Sequence, residues 1–409
     1  MLVPTLTALG LAYAYFRFSS RISPTIPYAG EGSLVSRLKV PVEYGKDPVQ
    51  FLINARKKLG DVFCVDLFVV KIVFYLGVEG NKMILKAPEQ SISFVDQIKW
   101  ALGPTMSAAF DYPGWTPISF KFVKLAFTKQ ENLMNYKEHC LKIAREHIEN
   151  WAKDETVPLF HSVSHLVLSC LVVILIGEDF YRRHGKEVVP MMANFERDLQ
   201  NPLLRVVPGS LWWITGPGHR LNKTCTRFDK LVSAELHDIL ENPDKHKGRT
   251  DYFYYVVSQV GDKYAFCYGR HIVGLVFGGH ANAAMTIPWL FLHAHRIPGA
   301  LDRIREELDL DPTARRPYLD ACLRETSRLY TNTSMMRMTT TSVEIAGHTV
   351  PQKTLVACSP LATQRLNKSE GGIFVDSNRW DPSRFLEDPD AYSNWFQRAD
   401  RCWRGTMLM

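Results

Sequence analysis

The stretch YLDACLRETSRLY, residues 318–330, contains an acid and a base whose spacing permits a strong ion pair. Glu325 and Arg328 stand three residues apart, and on a helix this spacing makes two side chains neighbours. A carboxylate and a guanidinium so placed form a fork-like, charge-assisted pair. Two interpretations are open. The pair is either solvated on a wet helix face, where it contributes little, or a buried clamp beside the apolar stripe Leu319, Cys322, Leu323, Thr326 and Leu329.

A second candidate site lies in the long apolar segment YGRHIVGLVFGGHANAAMTIPWLFLHAH. At its centre, two adjacent glycines, Gly278 and Gly279, precede His280, Ala281 and Asn282. Each glycine costs a helix roughly 1 kcal/mol relative to alanine, so something is expected to require close approach to the backbone there. A ligand is one candidate for this close approach, and tight packing of another helix is the alternative.

Motifs that the sequence lacks, together with its composition, exclude several classes of protein. The sequence has no Gly-rich dinucleotide fingerprint, Walker-type loop, Gly-x-Ser-x-Gly elbow or His-Glu-x-x-His pair, so hydrolase and kinase functions lose support. Its eight cysteines are scattered singly, which argues against a zinc site or a disulfide framework and fits a reducing compartment. The net charge of +7 includes no basic run of nucleic-acid type. We therefore expect no nucleic-acid partner. The positive net charge instead predicts that the protein is attracted to an anionic membrane or to an acidic protein.

The first 20 residues predict a short membrane anchor. The segment MLVPTLTALGLAYAYFRFSSR has no charge before Arg17. Its apolar run is shorter than the roughly 20 residues of a usual membrane helix, but it could cross a thin bilayer. Arginines on the trailing side place the rest of the chain in the cytoplasm. An amphipathic or disordered tail is the alternative.

The remainder, residues 21–409, predicts one mainly helical domain. The segment VSHLVLSCLVVILIG is apolar all round but too short for a convincing membrane span, so we expect a buried helix. Two further segments have one apolar face each, typical of surface helices. The first, KEHCLKIAREHIENWAK, aligns Leu141, Ala144, Ile148 and Trp151, and the second, TRFDKLVSAELHDIL, aligns Phe228, Leu231, Val232, Leu236 and Ile239.

Short strands are expected in only two places. One is DVFCVDLFVVKIVFYLG near the start, and the other is MMRMTTTSVEIAGHTVPQKTLVAC. In the second, Ala346-Gly347 and Pro351-Gln352 indicate turns. These strands predict a small β lobe beside the helices.

The order of these elements resembles a cytochrome P450, a haem-thiolate monooxygenase. A long helix with a small-residue, polar centre precedes a helix with Glu-x-x-Arg, then strands, then NRWDPSRF. The resemblance implies the fold class, which is mainly α with a small β lobe in a single large domain. It also implies that Glu325 and Arg328 join Arg384 in a buried triad. Removing one partner of such a buried pair would leave an uncompensated charge, at a cost of roughly 3–5 kcal/mol.

The resemblance runs through nearly the whole chain and is closest to the sterol 14-alpha-demethylase-like group. The segments that carry it are, in order, KKLGDVFCVDLF, FDYPG, KFVKLAFT, MMRMTTTSVEIAGHTVP and SPLATQRL. It implies that Arg337, with Lys121 or Lys124, faces the propionates of a haem (heme; iron protoporphyrin IX), which suits the charges of these side chains. A solvated position is the alternative for the two lysines.

The centre of the long helix departs from the family pattern. In that pattern an acid or His precedes a Thr, whose hydroxyl helps to deliver protons during oxygen activation. Here Ala281 and Asn282 occupy these positions, and Asn282 forms hydrogen bonds but has no hydroxyl. We name His280 and Asn282 as candidate catalytic residues. His280 is a candidate proton relay, and a structural hydrogen-bonding role is the alternative.

The segment NWFQRADRCWRGTMLM contains Cys402, the candidate axial ligand of the haem iron. The family pattern is Phe-x-x-Gly-x-x-x-Cys-x-Gly. Here the preceding glycine is missing and Cys402 follows Arg384 closely in sequence. A thiolate ligand depends on hydrogen bonds from a preformed loop. We therefore expect a carboxyl-terminal end that is truncated or altered relative to the family, and weak haem binding.

Together these features predict an oxidoreductase anchored in the endoplasmic reticulum membrane, with its catalytic domain facing the cytoplasm. The resemblance implies oxidation of a bulky apolar substrate, a sterol or terpenoid, with O₂ and electrons from NADPH. The electrons would come through NADPH-cytochrome P450 reductase, because the sequence has no flavin or nicotinamide motif. One alternative is an inactive, haem-poor remnant that binds lipid or a partner. Another is an unrelated helical enzyme or lipid-binding protein, which would lack the convergence of Glu325, Arg328 and Arg384.

Overall fold

The computed structural model describes residues 22–30, 34–67, 70–201, 203–207, 209–310, 315–330 and 334–387. The predicted anchor, residues 1–20, lies outside these ranges. The described chain forms two compact units. One contains the residues up to 98 together with residues 324–387, and the other contains residues 99–323. Helices predominate and the described strands all lie in the first unit, which confirms a mainly α fold with a small β lobe.

The helices occupy most of the chain. In chain order they are α1 (Leu34–Lys46), α2 (Pro48–Leu59), α3 (Gly77–Lys86), α4 (Phe94–Leu102), α5 (Pro104–Phe110), α6 (Trp115–Thr128), α7 (Gln130–Trp151), α8 (Leu159–Ile176), α9 (Glu178–Leu199), α10 (Leu203–Val206), α11 (Gly216–Glu241), α12 (Tyr252–Val260), α13 (Ala265–Arg296), α14 (Ala300–Leu308), α15 (Pro317–Tyr330), α16 (Pro360–Arg365) and α17 (Ser383–Glu387). Short 3₁₀ helices cover Gly209–Ile214 and Lys368–Glu370.

Six of the seven described strands come from the two segments in which the sequence predicts them. The strands are β1 (Val62–Asp66), β2 (Lys71–Tyr75), β3 (Ile92–Ser93), β4 (Met335–Thr339), β5 (Val343–Ile345), β6 (His348–Val350) and β7 (Leu355–Cys358). Five of them form a sheet in the order β1-β2-β7-β4-β3, and β5 pairs with β6. The β2–β7 pair is parallel and the other neighbours are antiparallel. The strand prediction is confirmed for both segments, and the two-residue strand β3 was not predicted.

The β5–β6 hairpin turns at the predicted pair, Ala346 and Gly347, whose φ angles are 48° and 82°. Positive φ at both central residues is typical of the type I′ turn, whose twist matches that of the two strands. Glycine adopts this conformation freely, whereas Ala346 is strained in it. The turn carries Ile345 and Val350 into the apolar core of the sheet, where both are fully buried.

The second unit is built around α8, which packs against α7, α9 and α13. The second half of α8 is apolar on nearly every side, which suits burial, and Val172 and Val173 are among its buried residues. The predicted buried helix is confirmed. By length and composition, α8 and α13 could each cross a membrane. Core helices meet the same criterion, and we interpret both as core helices of this unit.

Helix α7 buries a different face from the one that the sequence predicts. Leu141 and Ile148 are 45% and 54% exposed, whereas Tyr136 and Ile143 are buried. Both sets recur at helical spacing, so periodicity alone did not choose between them, and packing against α8 selects the second set. The predicted face of α11 is confirmed. The five apolar residues that the sequence places on this face are all buried, namely Phe228, Leu231, Val232, Leu236 and Ile239.

Candidate functional site

The Glu325–Arg328 pair of α15 is a buried clamp. Arg328 Nε donates to Glu325 Oε2 at 2.6 Å, and its Nη2 donates to Oε1 at 2.8 Å. Both side chains are 0% exposed. This bidentate geometry is the fork-like form expected for a carboxylate and a guanidinium. The solvated alternative is therefore wrong for this pair.

Backbone groups far along the chain complete the hydrogen bonding of the pair. The amide of Asp381 donates to Glu325 Oε1 at 2.8 Å. Arg328 Nη1 donates to the carbonyl of Gln364 at 3.0 Å, and Nη2 donates to the carbonyl of Arg379 at 3.3 Å. Because a buried charge is tolerated only when it is paired and hydrogen-bonded, this clamp requires the segment around residue 380 to stay in place.

Arg384 joins the same cluster as a second cation. Its Nε lies 3.5 Å from Glu325 Oε1, and its Nη1 donates to the carbonyl of Val375 at 2.6 Å. The Arg328 and Arg384 guanidinium carbons lie 5.0 and 5.5 Å from the centre of the Phe374 ring. Arg384 Nε is close enough for an ion pair but has no hydrogen-bond acceptor among the described residues. The structure thus brings Glu325, Arg328 and Arg384 together around one carboxylate.

The three cations predicted to face haem propionates differ in their surroundings. Arg337, on β4, is partly buried, donates to the carbonyl of Met336 at 2.9 Å and lies 4.5 Å from the centre of the Phe94 ring. Lys121 and Lys124, on α6, are exposed, and the described residues provide neither with an ion pair. The exposure of the lysines favours their solvated alternative.

The two glycines at the centre of α13 lie within a continuous helix. A Cβ atom added to Gly279 would lie 3.0 Å from Leu171 Cδ2 of α8, so the glycine permits close helix packing. The Asn282 amide donates to the carbonyl of Gly278 at 3.3 Å. Gly279 therefore supports the alternative explanation, in which the glycine allows α8 to pack tightly against α13 within the second unit.

His280 connects three helices through its two ring nitrogens. Nδ1 lies 2.7 Å from Glu196 Oε1 on α9, and Nε2 lies 2.9 Å from Ser164 Oγ on α8. The imidazole is buried. A carboxylate at Nδ1 favours the tautomer with a proton there, and this tautomer leaves Nε2 to accept the Ser164 hydroxyl proton. Glu196 and Ser164 were missed by sequence reasoning, because no spacing relates residues on separate helices.

A sequence profile of the family described as cytochrome P450 matches residues 32–396. The chain belongs to the cytochrome P450 family. It is 27% identical over 388 residues to cytochrome P450 monooxygenase pyvB of Aspergillus violaceofuscus, a match that covers 92% of this chain and 76% of that protein. The match to human lanosterol 14-alpha demethylase is 22% identical over 375 residues, or 87% of this P450 and 71% of the demethylase.

The fold of this P450 is also that of a solved structure. Retinoic acid-bound cyanobacterial CYP120A1 superposes with a TM-score of 0.71 at 16% identity, covering 94% of this chain and 91% of the other. At this identity the likeness shows the fold alone. It agrees with the mainly helical architecture that the sequence predicts.

Four described cysteines lie in surroundings that disfavour a free thiolate. Burial raises the pKa of Cys64, Cys225 and Cys358 to about 12, and that of Cys267 to about 11. The described residues contain no group of three or more His, Cys, Asp or Glu able to hold a metal ion. Cys402, the predicted ligand, lies outside the described residues.

Proposed function

We propose that this P450 is a haem-dependent monooxygenase that oxidises a bulky apolar substrate, such as a sterol or a terpenoid. It would use O₂ and electrons from NADPH delivered by cytochrome P450 reductase, because its sequence has no flavin or nicotinamide motif of its own. When bound, the haem supplies the oxygen-activating chemistry. Relatives that are named as P450 monooxygenases and as lanosterol 14-alpha demethylases support this class of reaction.

The buried cluster of Glu325, Arg328 and Arg384 is the observation that carries this proposal. It ties α15 to the segment that ends with α17. Cys402 follows that segment in the sequence. We propose that the cluster anchors the chain from which the ligand-bearing segment continues, so that its loss would lower haem content as well as stability.

Arg337 is our proposed partner for a haem propionate. Its guanidinium is partly buried, and its planar donors suit a carboxylate. Lys121 and Lys124 remain weaker candidates, because exposed lysines gain little from a single ion pair. Replacing Arg337 is expected to lower haem content more than replacing either lysine.

We propose that His280 is a proton relay, with Asn282 as a second catalytic residue on the same helix. Glu196 would hold the imidazole in one tautomer, and Nε2 would exchange a proton with the Ser164 hydroxyl. The same bonds would also serve a purely structural role. His280→Gln separates the two, because glutamine keeps the hydrogen bonding but does not relay a proton. A relay predicts altered coupling of NADPH use to product, whereas a structural role predicts no change in coupling.

Membrane association is proposed from two features. Residues 1–20 would form the anchor in the endoplasmic reticulum membrane, with the catalytic part, residues 21–409, facing the cytoplasm. The 3₁₀ helix Gly209–Ile214 also carries exposed apolar side chains, and Trp213 is 67% exposed. Tryptophan is enriched at membrane–water interfaces, so we propose this helix as a lipid contact. Removing residues 1–20 should reduce sedimentation with membranes.

The second candidate function is a haem-poor member of the family that binds lipid or a partner without oxidising it. The segment around Cys402 lacks the glycine that precedes the ligand in the family pattern, and this departure favours the alternative. The deciding experiment is haem content together with the reduced carbon monoxide spectrum of the purified full chain. A thiolate-type Soret band supports the monooxygenase, and a chain without haem supports the alternative.

A further inference from the structure

We infer that His161 and His165 form a two-imidazole binding site for a divalent transition-metal ion, such as Cu²⁺ or Zn²⁺. The two residues stand four apart in α8, so their side chains leave the helix on the same face. Their ring centroids are 4.4 Å apart. Two histidines at this spacing hold zinc in the His-Glu-x-x-His helix. Here Ser-Val-Ser separates them, so the pair offers the ligands without the catalytic acid.

The lone pairs of these two imidazoles are available to a metal. Neither ring forms a hydrogen bond with a described residue.

Two other histidines in the same part of the unit are already engaged. His147 Nε2 lies 3.2 Å from Ser169 Oγ, and both nitrogens of His280 contact Glu196 and Ser164. Because His147 and His280 already have these partners, the proposed site has two histidine ligands and not three. It agrees with the absence, in the described part of the chain, of any larger cluster of metal-binding side chains.

The geometry fits one ion between the rings. Two imidazole nitrogens, each about 2.1 Å from a metal, lie about 3 Å apart. The two ring centroids are 4.4 Å apart with planes inclined by 49°, so the imidazoles already lie within the range that one ion spans. His161 is exposed, so the remaining metal positions open to water or to a ligand from a second molecule. Cu²⁺ should bind most tightly, following the Irving–Williams order. The positive end of the α8 dipole opposes a cation there and weakens the site.

The test uses the full chain and compares three single variants by Cu²⁺ titration and by electron paramagnetic resonance. His161→Ala and His165→Ala should each lower Cu²⁺ affinity by roughly 100-fold, because the second nitrogen then no longer binds intramolecularly. Their spectra should change from two coordinated imidazoles to one. His237→Ala is the matched control, since His237 is an exposed helical histidine paired with Glu241, and it should leave the affinity unchanged.

Zn²⁺, measured by competition with Cu²⁺, is the second probe. His161→Gln keeps a polar side chain on the exposed face, so it distinguishes loss of a ligand from loss of folding, and it too should weaken binding. Affinities for both metals within threefold of wild type in His161→Ala and His165→Ala would overturn the proposal. An equal loss in His237→Ala would also overturn it, because the wild-type binding would then be non-specific.

Discussion

Replacing Glu325 by glutamine tests the buried clamp most sharply. Among the described residues, Glu325 is the one carboxylate that pairs with the fully buried Arg328, so the change leaves this guanidinium without its counter-charge there and weakens the ion pair with Arg384. It also removes one acceptor of the bidentate hydrogen bonds. Breaking a buried ion pair by removing one partner costs roughly 3–5 kcal/mol. We therefore expect a loss of stability in this range.

The chain provides a control with the same spacing. Glu79 and Lys82 also stand three residues apart and approach to 2.8 Å, but their side chains are 72% and 40% exposed. Water and salt screen such a pair, so Glu79→Gln should cost less than about 1 kcal/mol. The spacing and the contact distance are nearly equal in the two pairs. A difference in stability loss between the two Glu→Gln variants therefore reports on the burial of the pair.

Thermal unfolding followed by circular dichroism measures both variants. For a cooperative unit of 150–250 residues, each kcal/mol lowers Tm by roughly 2–4 °C. Glu325→Gln should therefore lower Tm by about 6 °C or more, and Glu79→Gln by less than about 4 °C. Equal shifts in the two variants would refute the claim that burial gives the Glu325–Arg328 pair its strength.

Two further predictions concern the helical unit. On α7, Ile143 is buried and Ile148 is 54% exposed. Ile143→Ala should therefore cost roughly 2–5 kcal/mol in chemical denaturation, and Ile148→Ala less than about 1 kcal/mol. The reverse order would restore the face that the sequence predicts. Burial lowers the pKa of His271 to about 3 from 6.5. Between these two pH values the unfolded chain binds a proton at this residue and the folded chain does not. The free energy of unfolding therefore keeps its full value above pH 6.5 and decreases as the pH falls towards 3. His271→Gln, which keeps a partner for the Tyr252 hydroxyl, should reduce the stability lost between pH 7 and pH 5 by about 2 kcal/mol; an unchanged loss would contradict the assignment.

Much of the fold was predictable because local patterns agree with it. The strand segments alternate or run apolar between turn residues, and Ala346-Gly347 turns where expected. The second half of α8 is apolar on nearly every side, so burial suits it. Helix α7 was predicted with the wrong face because two apolar stripes compete on it. The choice between them depends on which neighbour packs there, and this information is not local.

The candidate site was predictable only in part. Spacing made Glu325 and Arg328 neighbours, but their burial depends on Asp381 and Arg384, which are more than 50 residues away. The family resemblance supplied Arg384, since no local pattern links it to α15. Glu196 and Ser164 lie on helices other than that of His280, so their contacts with it had no signal in the sequence.

The reduced carbon monoxide spectrum of the full chain, measured with haem content, tests the central claim most directly. Cys402 is the proposed ligand, and the residues around it depart from the family loop. We therefore predict a thiolate-type Soret band at less than one haem per chain, abolished in Cys402→Ala and retained in Cys358→Ser. A band that survives Cys402→Ala, or a folded wild-type chain with no haem at all, would contradict the account.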